Sequence, residues 1–167
     1  LGANCGCGEC LVNAHCYFSG VDPAEKATLE ERLVANQYKK NQVIAHEGVR
    51  PHGVFLLCSG QSKVCKTDES GHQLAVRVGH TGTLVGYRSL LLDEPFSATV
   101  EATEPSVVTF LDKEYFFDLL RRQPPLMMRL IRQLAEQVGQ AEQGLAQSPG
   151  EIGLRHERGG GRSPART

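Results

Sequence analysis

Apolar residues in this chain follow one spacing rule near its start, another through its middle and a third towards its end. In VDPAEKATLEERLVANQY, Ala27, Leu29, Leu33 and Val34 recur at helical spacing and predict one helix over residues 21–38. Asp22 reads as its N-cap, Pro23 as the tolerated first position and Glu25 as the acid of a capping box. From Tyr38 to Leu111 the pattern shortens to β-rich runs: VIAHEG, GVFLLCSG, SKVCKT, LAVRVGHTG, SATVEATEP and SVVTFL. Ser59-Gly60 and Glu69-Ser70-Gly71 read as hairpin-type turns between them, and Glu104-Pro105 as a break. VGYRSLLLDEPFSA interrupts the series with too many consecutive leucines for an exposed strand, so a short helix or loop capping the sheet fits it. DKEYFFDLLRRQ then reads as a helix capped by Asp112 and stopped before Pro124-Pro125.

The last helical stretch, PPLMMRLIRQLAEQVGQAEQGLAQ, places Met127, Ile131, Leu134, Val138, Ala141 and Leu145 at alternating steps of four and three. That is a heptad seam, the geometry of a two-stranded coiled coil, and it predicts a homodimer through these six residues. Leu126 and Leu130 fall off the seam and suit packing on the chain's own domain. The expected fold class is therefore mainly β with flanking helices: an antiparallel β-roll or jelly roll followed by a long C-terminal dimerisation helix. The expected boundaries are a cysteine-rich segment 1–20, a roll with leading and trailing helices 21–122, the dimerisation helix 123–147, and a disordered tail 148–167 that is Gly-rich and without apolar period.

Composition narrows the function classes. With a formal net charge of −1 the chain has no global field to recruit nucleic acid or an anionic membrane. It has no apolar run of about 18 residues and no signal-peptide profile at its start, so a cytoplasmic location is expected. His46, His52, His72 and His80 form no H-x-H pair, and no nucleophile–base or paired-carboxylate constellation is present, so no enzyme is expected.

The densest chemistry is NCGCGECLVNAHCYF, which holds Cys5, Cys7, Cys10 and Cys16. Cys7, Cys10 and Cys16 read C-x2-C-x5-C, and the short x2 loop lets two sulfurs point inward together, as a metal or an iron–sulfur cluster requires. A disulfide, plain thiols in a loosely ordered terminus and the relic of a lost site are the competing readings. Cys58 and Cys65 lie in apolar runs, on paired strands if the turn between them is a hairpin, and read as small buried hydrophobes.

In order and spacing, KKNQVIAHEG, GVFLLCSGQSKVCKTDESGHQ, VGHTGTLVGYRSLLLDEPFSATVEATEPSVVTFLD and PPLMMRLIRQLAEQ resemble the N-terminal sensor half of the Crp/Fnr family of bacterial transcription regulators. The resemblance spans residues 22–147 and implies a cyclic-nucleotide-binding type of roll. In members that bind cyclic AMP, a Gly-Glu pair holds the ribose and an Arg before Ser/Thr-Ala neutralises the phosphate. Here those positions are Gly86-Tyr87 and Phe96-Ser97-Ala98, and Arg88 is the one substitute cation in the cassette. Tyr accepts no ribose hydroxyl as a carboxylate does, and Phe pairs with no phosphate, so cyclic AMP is not expected to bind in the family's manner.

Oxygen-responsive members of the Fnr branch instead hold a 4Fe–4S cluster on three N-terminal cysteines and a fourth from the roll. Cys7, Cys10 and Cys16 match the three, but the fourth position falls at Thr109. Cys5, Cys58 or Cys65 could replace it, and zinc on Cys7, Cys10, Cys16 and His15 or Cys5 is the alternative cofactor. The resemblance also implies that DNA is read by a C-terminal winged helix-turn-helix, of which this sequence shows none. The expected function is thus a redox- or oxygen-responsive sensor domain truncated before DNA binding. The alternative is a module that binds a cyclic nucleotide or another small anion in the roll.

Overall fold

The structure, a computed structural model, describes residues 16–146. Helix α1 (Pro23–Arg32) leads into strands β1 (Val34–Tyr38), β2 (Val43–Ala45), β3 (Gly53–Ser59), β4 (Gln61–Thr67), β5 (Gln73–His80) and β6 (Leu84–Val85). Helix α2 (Tyr87–Leu92) separates these from β7 (Thr99–Ala102) and β8 (Ser106–Asp112), and α3 (Lys113–Arg122) and α4 (Pro124–Ala146) follow. The strands form two four-stranded antiparallel sheets ordered β1-β8-β3-β6 and β2-β7-β4-β5, the mainly β roll with flanking helices that the pattern predicts. Helix α3 packs on β3 and β8, and α2 on β3.

Three local expectations hold. Asp22 caps α1 by accepting from the Glu25 amide at 3.0 Å, and Asp112 caps α3 by accepting from the Tyr115 amide at 2.9 Å. The Asp68 carboxylate accepts from the amides of Ser70 and His72 at 2.9 and 2.8 Å and closes the turn between β4 and β5. Leu126 and Leu130 are buried, as their place off the seam implies.

Two expectations fail. The stretch read as a single helix over 21–38 is α1 plus β1. Leu33 leaves helical geometry at φ −74°, ψ 121°, and Val34–Tyr38 pairs with β8 from Val34↔Phe110 to Tyr38↔Ser106. That ladder satisfies five residues through a strand more than sixty positions away, which local periodicity cannot register. The Ser59-Gly60 turn is likewise no hairpin: β3 and β4 enter different sheets, so Cys58 and Cys65 do not lie on paired strands. Gly60 turns this corner at φ +93°, where a Cβ would stand 2.2 Å from Ser106 Oγ and 2.8 Å from the Pro105 carbonyl. A side chain is excluded there twice, by the backbone angle and by space.

Glu25 does more than its capping-box position suggests. Its carboxylate accepts from the Tyr115 hydroxyl at 2.6 Å and pairs with Arg122 at 3.0 Å, tying α1 to α3. Arg32 and Arg122 lie 5.5 and 5.4 Å from the Tyr115 ring centroid. Burial, and then the bond to Glu25, push the Tyr115 pKa up to about 12. Glu25→Ala leaves two polar partners without their shared acceptor and is expected to cost about 2 kcal/mol in chemical denaturation. Combined with Tyr115→Phe it should cost less than the sum of the two single changes.

The described residues fall into two compact units, one ending at Ile131 and the other starting at Arg132. The first holds the roll and the opening turns of α4. Of the second, the structure describes helical residues 132–146.

Candidate functional site

The cassette predicted around residues 86–98 is brought together, but as packed core rather than as an open anion site. Gly86 takes φ +88° immediately before α2, and a Cβ there would meet the Phe96 ring at 3.0 Å. Phe96 is 8% exposed and clusters with Ala45, Val85 and Val100. Its backbone closes the entry to β7, the amide donating to the Val49 carbonyl at 2.9 Å and the carbonyl accepting from the Gly48 amide at 2.8 Å. At the position where a phosphate-binding arginine is expected, an aromatic ring fills the space. Tyr87 is buried on α2 and Ala98 is buried beside β7. Arg88 is exposed and donates to Ser97 Oγ at 2.9 Å, bridging the two arms of the cassette. A separate surface groove of about 610 Å³, lined by Gln37, Tyr38, Lys39, Gln42, Pro105, Ser106 and Val107, uses none of these residues.

The cysteine segment enters the described residues at Cys16, while Cys5, Cys7, Cys10 and His15 lie outside them. Cys16, Tyr17 and Phe18 are buried. Arg129, on the sixth position of α4, gathers this stretch with one guanidinium nitrogen. Nη1 donates to the Cys16 carbonyl at 3.3 Å, to the Tyr17 carbonyl and to Ser19 Oγ at 3.2 Å. In return the Tyr17 hydroxyl donates to the Leu126 carbonyl at 2.9 Å. Burial pushes the Tyr17 pKa upward, against the opposing pull of Arg129, so the hydroxyl stays a donor. Neither Tyr17 nor Arg129 stood out in the sequence. The available signal was an arginine three residues after Leu126 on the same helix.

Cysteine sulfur suits a thiolate-held metal centre in chemical type. Cys16 and Cys65 are buried and Cys58 is half-buried. Thr109, where the resemblance places a fourth thiol, is fully buried, with its hydroxyl 3.4 Å from Cys58 Sγ. Among the described residues no three His, Cys, Asp or Glu side chains converge as a metal site. A centre would therefore draw on Cys5, Cys7 and Cys10 as well as on described donors.

On the seam, Met127 and Ile131 are exposed in the first unit, and Met128 beside them is exposed too. In the second unit Val138 and Ala141 are exposed and Leu134 is half-buried, whereas the side chain of Leu145 lies outside the described residues. Among the described residues no helix is long and apolar enough to cross a membrane.

Residues 35–123 match the cyclic nucleotide-binding domain family. A cGMP-dependent protein kinase of Eimeria tenella is 32% identical over 98 residues, 59% of this chain and 9% of the kinase. The Thermus thermophilus catabolite activator protein superposes with a TM-score of 0.69 at 25% identity, covering 78% of this chain and 61% of that one. The sensor domain of the transcriptional regulator DNR from Pseudomonas aeruginosa superposes with a TM-score of 0.70 at 18% identity, covering 92% of this chain and all 100% of that domain, a likeness of fold. The chain thus spans a small part of the kinase and somewhat over half of the activator.

Proposed function

The chain belongs to the cyclic nucleotide-binding domain family, and from that premise we propose that it is the sensor domain of a Crp/Fnr-type transcription regulator that responds through its N-terminal cysteines. The observation that supports this most is the Arg129 clamp. It binds the backbone of Cys16–Ser19 to the opening turns of α4, beside exposed Met127 and Ile131. Any change in how Cys16 is held is felt at the helix that carries the dimer seam.

Cys7, Cys10 and Cys16, with a fourth donor, would hold the centre. A 4Fe–4S cluster would supply an oxygen-sensitive redox group, and zinc a redox-inert one. The chain's own part is positional. Cys16 is anchored through its carbonyl, Tyr17 pins Leu126, and Arg129 sets where the segment lies along α4. A metal-dependent difference of about 1.4 kcal/mol in the free energy of dimerisation changes the dimer constant tenfold. The seam covers few heptads, so such a bias is enough to matter. DNA is read, in this proposal, by a further domain of the regulator, and the role is regulatory rather than catalytic.

The test is sedimentation of anaerobically prepared protein, with metal and sulfide analysis and a visible spectrum, before and after air or chelator. Bound metal and a dimer constant that moves at least about tenfold on its removal are expected, the size of ordinary allosteric coupling. Metal-free protein, or unchanged dimerisation, overturns the reading.

One observation favours a second reading, a small-anion-binding module: Arg88 is exposed and already oriented by Ser97 across the cassette. Calorimetry with cyclic AMP separates the two. No heat is expected from the wild type. Stoichiometric binding that Arg88→Ala abolishes would establish the module instead.

A further inference from the structure

We propose that the groove at residues 37–42 and 105–107 is a binding site for a planar aromatic carboxylate, separate from the cassette and independent of the cysteine reading.

The groove lies where the chain passes between the two sheets. β1 ends in the first sheet at Tyr38, opposite Ser106 at the start of β8, while β2 and β7 belong to the second. The turn from Lys39 to Gln42 takes Asn41 at φ +68° and is tied to the end of β7. There the Asn41 amide donates to the Ala102 carbonyl at 2.7 Å, and the Ala102 amide to the Gln42 carbonyl at 2.9 Å. The other wall is fixed as well, since buried Ser106 donates its hydroxyl to the Glu104 carbonyl at 2.8 Å. Hydrogen bonds thus hold both walls, and a ligand need not order them first. A volume of about 610 Å³ is the size of a small-molecule site.

The lining holds donors and no carboxylate. Lys39 brings an ammonium. Tyr38 brings a hydroxyl whose pKa burial pushes upward, so it stays protonated. Gln42 accepts from the Lys39 amide at 3.0 Å through Oε1, which leaves its NH2 group for a ligand. Among the described residues no ion pair or hydrogen bond occupies the Lys39 ammonium or the Tyr38 hydroxyl. The acids closest in sequence do not oppose these donors. Glu101 pairs with Lys63 at 3.1 Å, and Glu104, which precedes Pro105, is not part of the lining. Surplus donors with one positive charge select an anionic acceptor. Pro105, Val107 and the Tyr38 ring add apolar surface, which suits the face of an aromatic body rather than a bare inorganic ion.

The experiment titrates the full chain with 2-naphthoate, with its neutral counterpart 2-naphthamide, and with inorganic phosphate. Heat and the amide NMR signals of residues 37–42, 106 and 107 are followed. Wild type is compared with Lys39→Ala, Tyr38→Phe, Lys40→Ala and Arg88→Ala, and thermal melting checks that each variant folds. Saturable binding of naphthoate is expected, with signals shifting in those two stretches. Lys39→Ala should weaken it at least about tenfold, the worth of one charge-assisted hydrogen bond, and Tyr38→Phe by a smaller factor. Lys40, outside the lining, and Arg88, in the cassette, should be replaceable without effect. Naphthamide and phosphate should each bind at least about tenfold more weakly than naphthoate. Absence of naphthoate binding at millimolar concentration, equal binding of naphthamide, or unchanged binding by Lys39→Ala overturns the proposal. Loss of binding in Arg88→Ala places the anion in the cassette and overturns it too.

Discussion

Arg129→Ala is expected to destabilise the protein by about 3 kcal/mol, because it strips a half-buried cation from three oxygens at once. The Cys16 and Tyr17 carbonyls and Ser19 Oγ sit where the segment is buried against α4. Water cannot replace the guanidinium freely, and much of the penalty is the cost of leaving those acceptors unpaired. Arg129→Lys should recover only part of the loss, since an ammonium is more strongly hydrated than a guanidinium and costs more to desolvate at this half-buried position. Equilibrium denaturation in guanidinium measures the change, and hydrogen exchange at residues 16–19 localises it. A midpoint shift equivalent to less than about 0.5 kcal/mol, the range of ordinary surface substitutions, would mean that the clamp does not hold the segment. The Tyr17 bond to Leu126 would then carry the docking alone.

Phe96→Ala should cost about 3–5 kcal/mol, the range for emptying an aromatic site in a packed core. Phe96 lies among Ala45, Val85 and Val100, with Ile44, Phe55 and Val64 against the cluster, so little can collapse into the space it leaves. Gly86, already in a left-handed conformation, faces the ring and has no side chain to fill the void. Phe96→Leu keeps most of the volume and should cost less than about 1.5 kcal/mol. Phe96→Arg, which restores the family's phosphate-binding residue type, is expected to behave more like the alanine variant. It sets a guanidinium into an apolar cluster with no anion present. Thermal melts rank the three. A stable Phe96→Arg protein that takes up cyclic AMP would show that the pocket survives beneath the ring.

These two residues differ in how far they could be read beforehand. Phe96 was identifiable as a departure from the resembled cyclic-phosphate site, because the following Ser97 and Ala98 keep the pattern. Its placement in the core needed the fold. Arg129 was legible only as one charge three residues after Leu126, and what it grips is more than a hundred residues away in sequence. The seam is periodic, so spacing exposed it, and the cassette is contiguous, so the family resemblance marked it. The clamp and the Cys58–Thr109 pair join distant segments, and nothing in either segment names the other.

Sequence alone determined the elements that carry their own signals: the Asp22 and Asp112 caps, the Glu69-Ser70-Gly71 turn and the inward face of Leu126 and Leu130. Each depends on side chains within a turn or two of the backbone they organise, so local chemistry is sufficient. Only the tertiary structure decided that Val34–Tyr38 is a strand, that β3 and β4 part into different sheets, that Cys58 lies beside Thr109 and that Arg129 holds Cys16–Ser19. In each case the deciding partner lies far along the chain. Such pairings form because they satisfy buried backbone and polar groups together, a condition that the whole fold meets and that no stretch of sequence displays by itself.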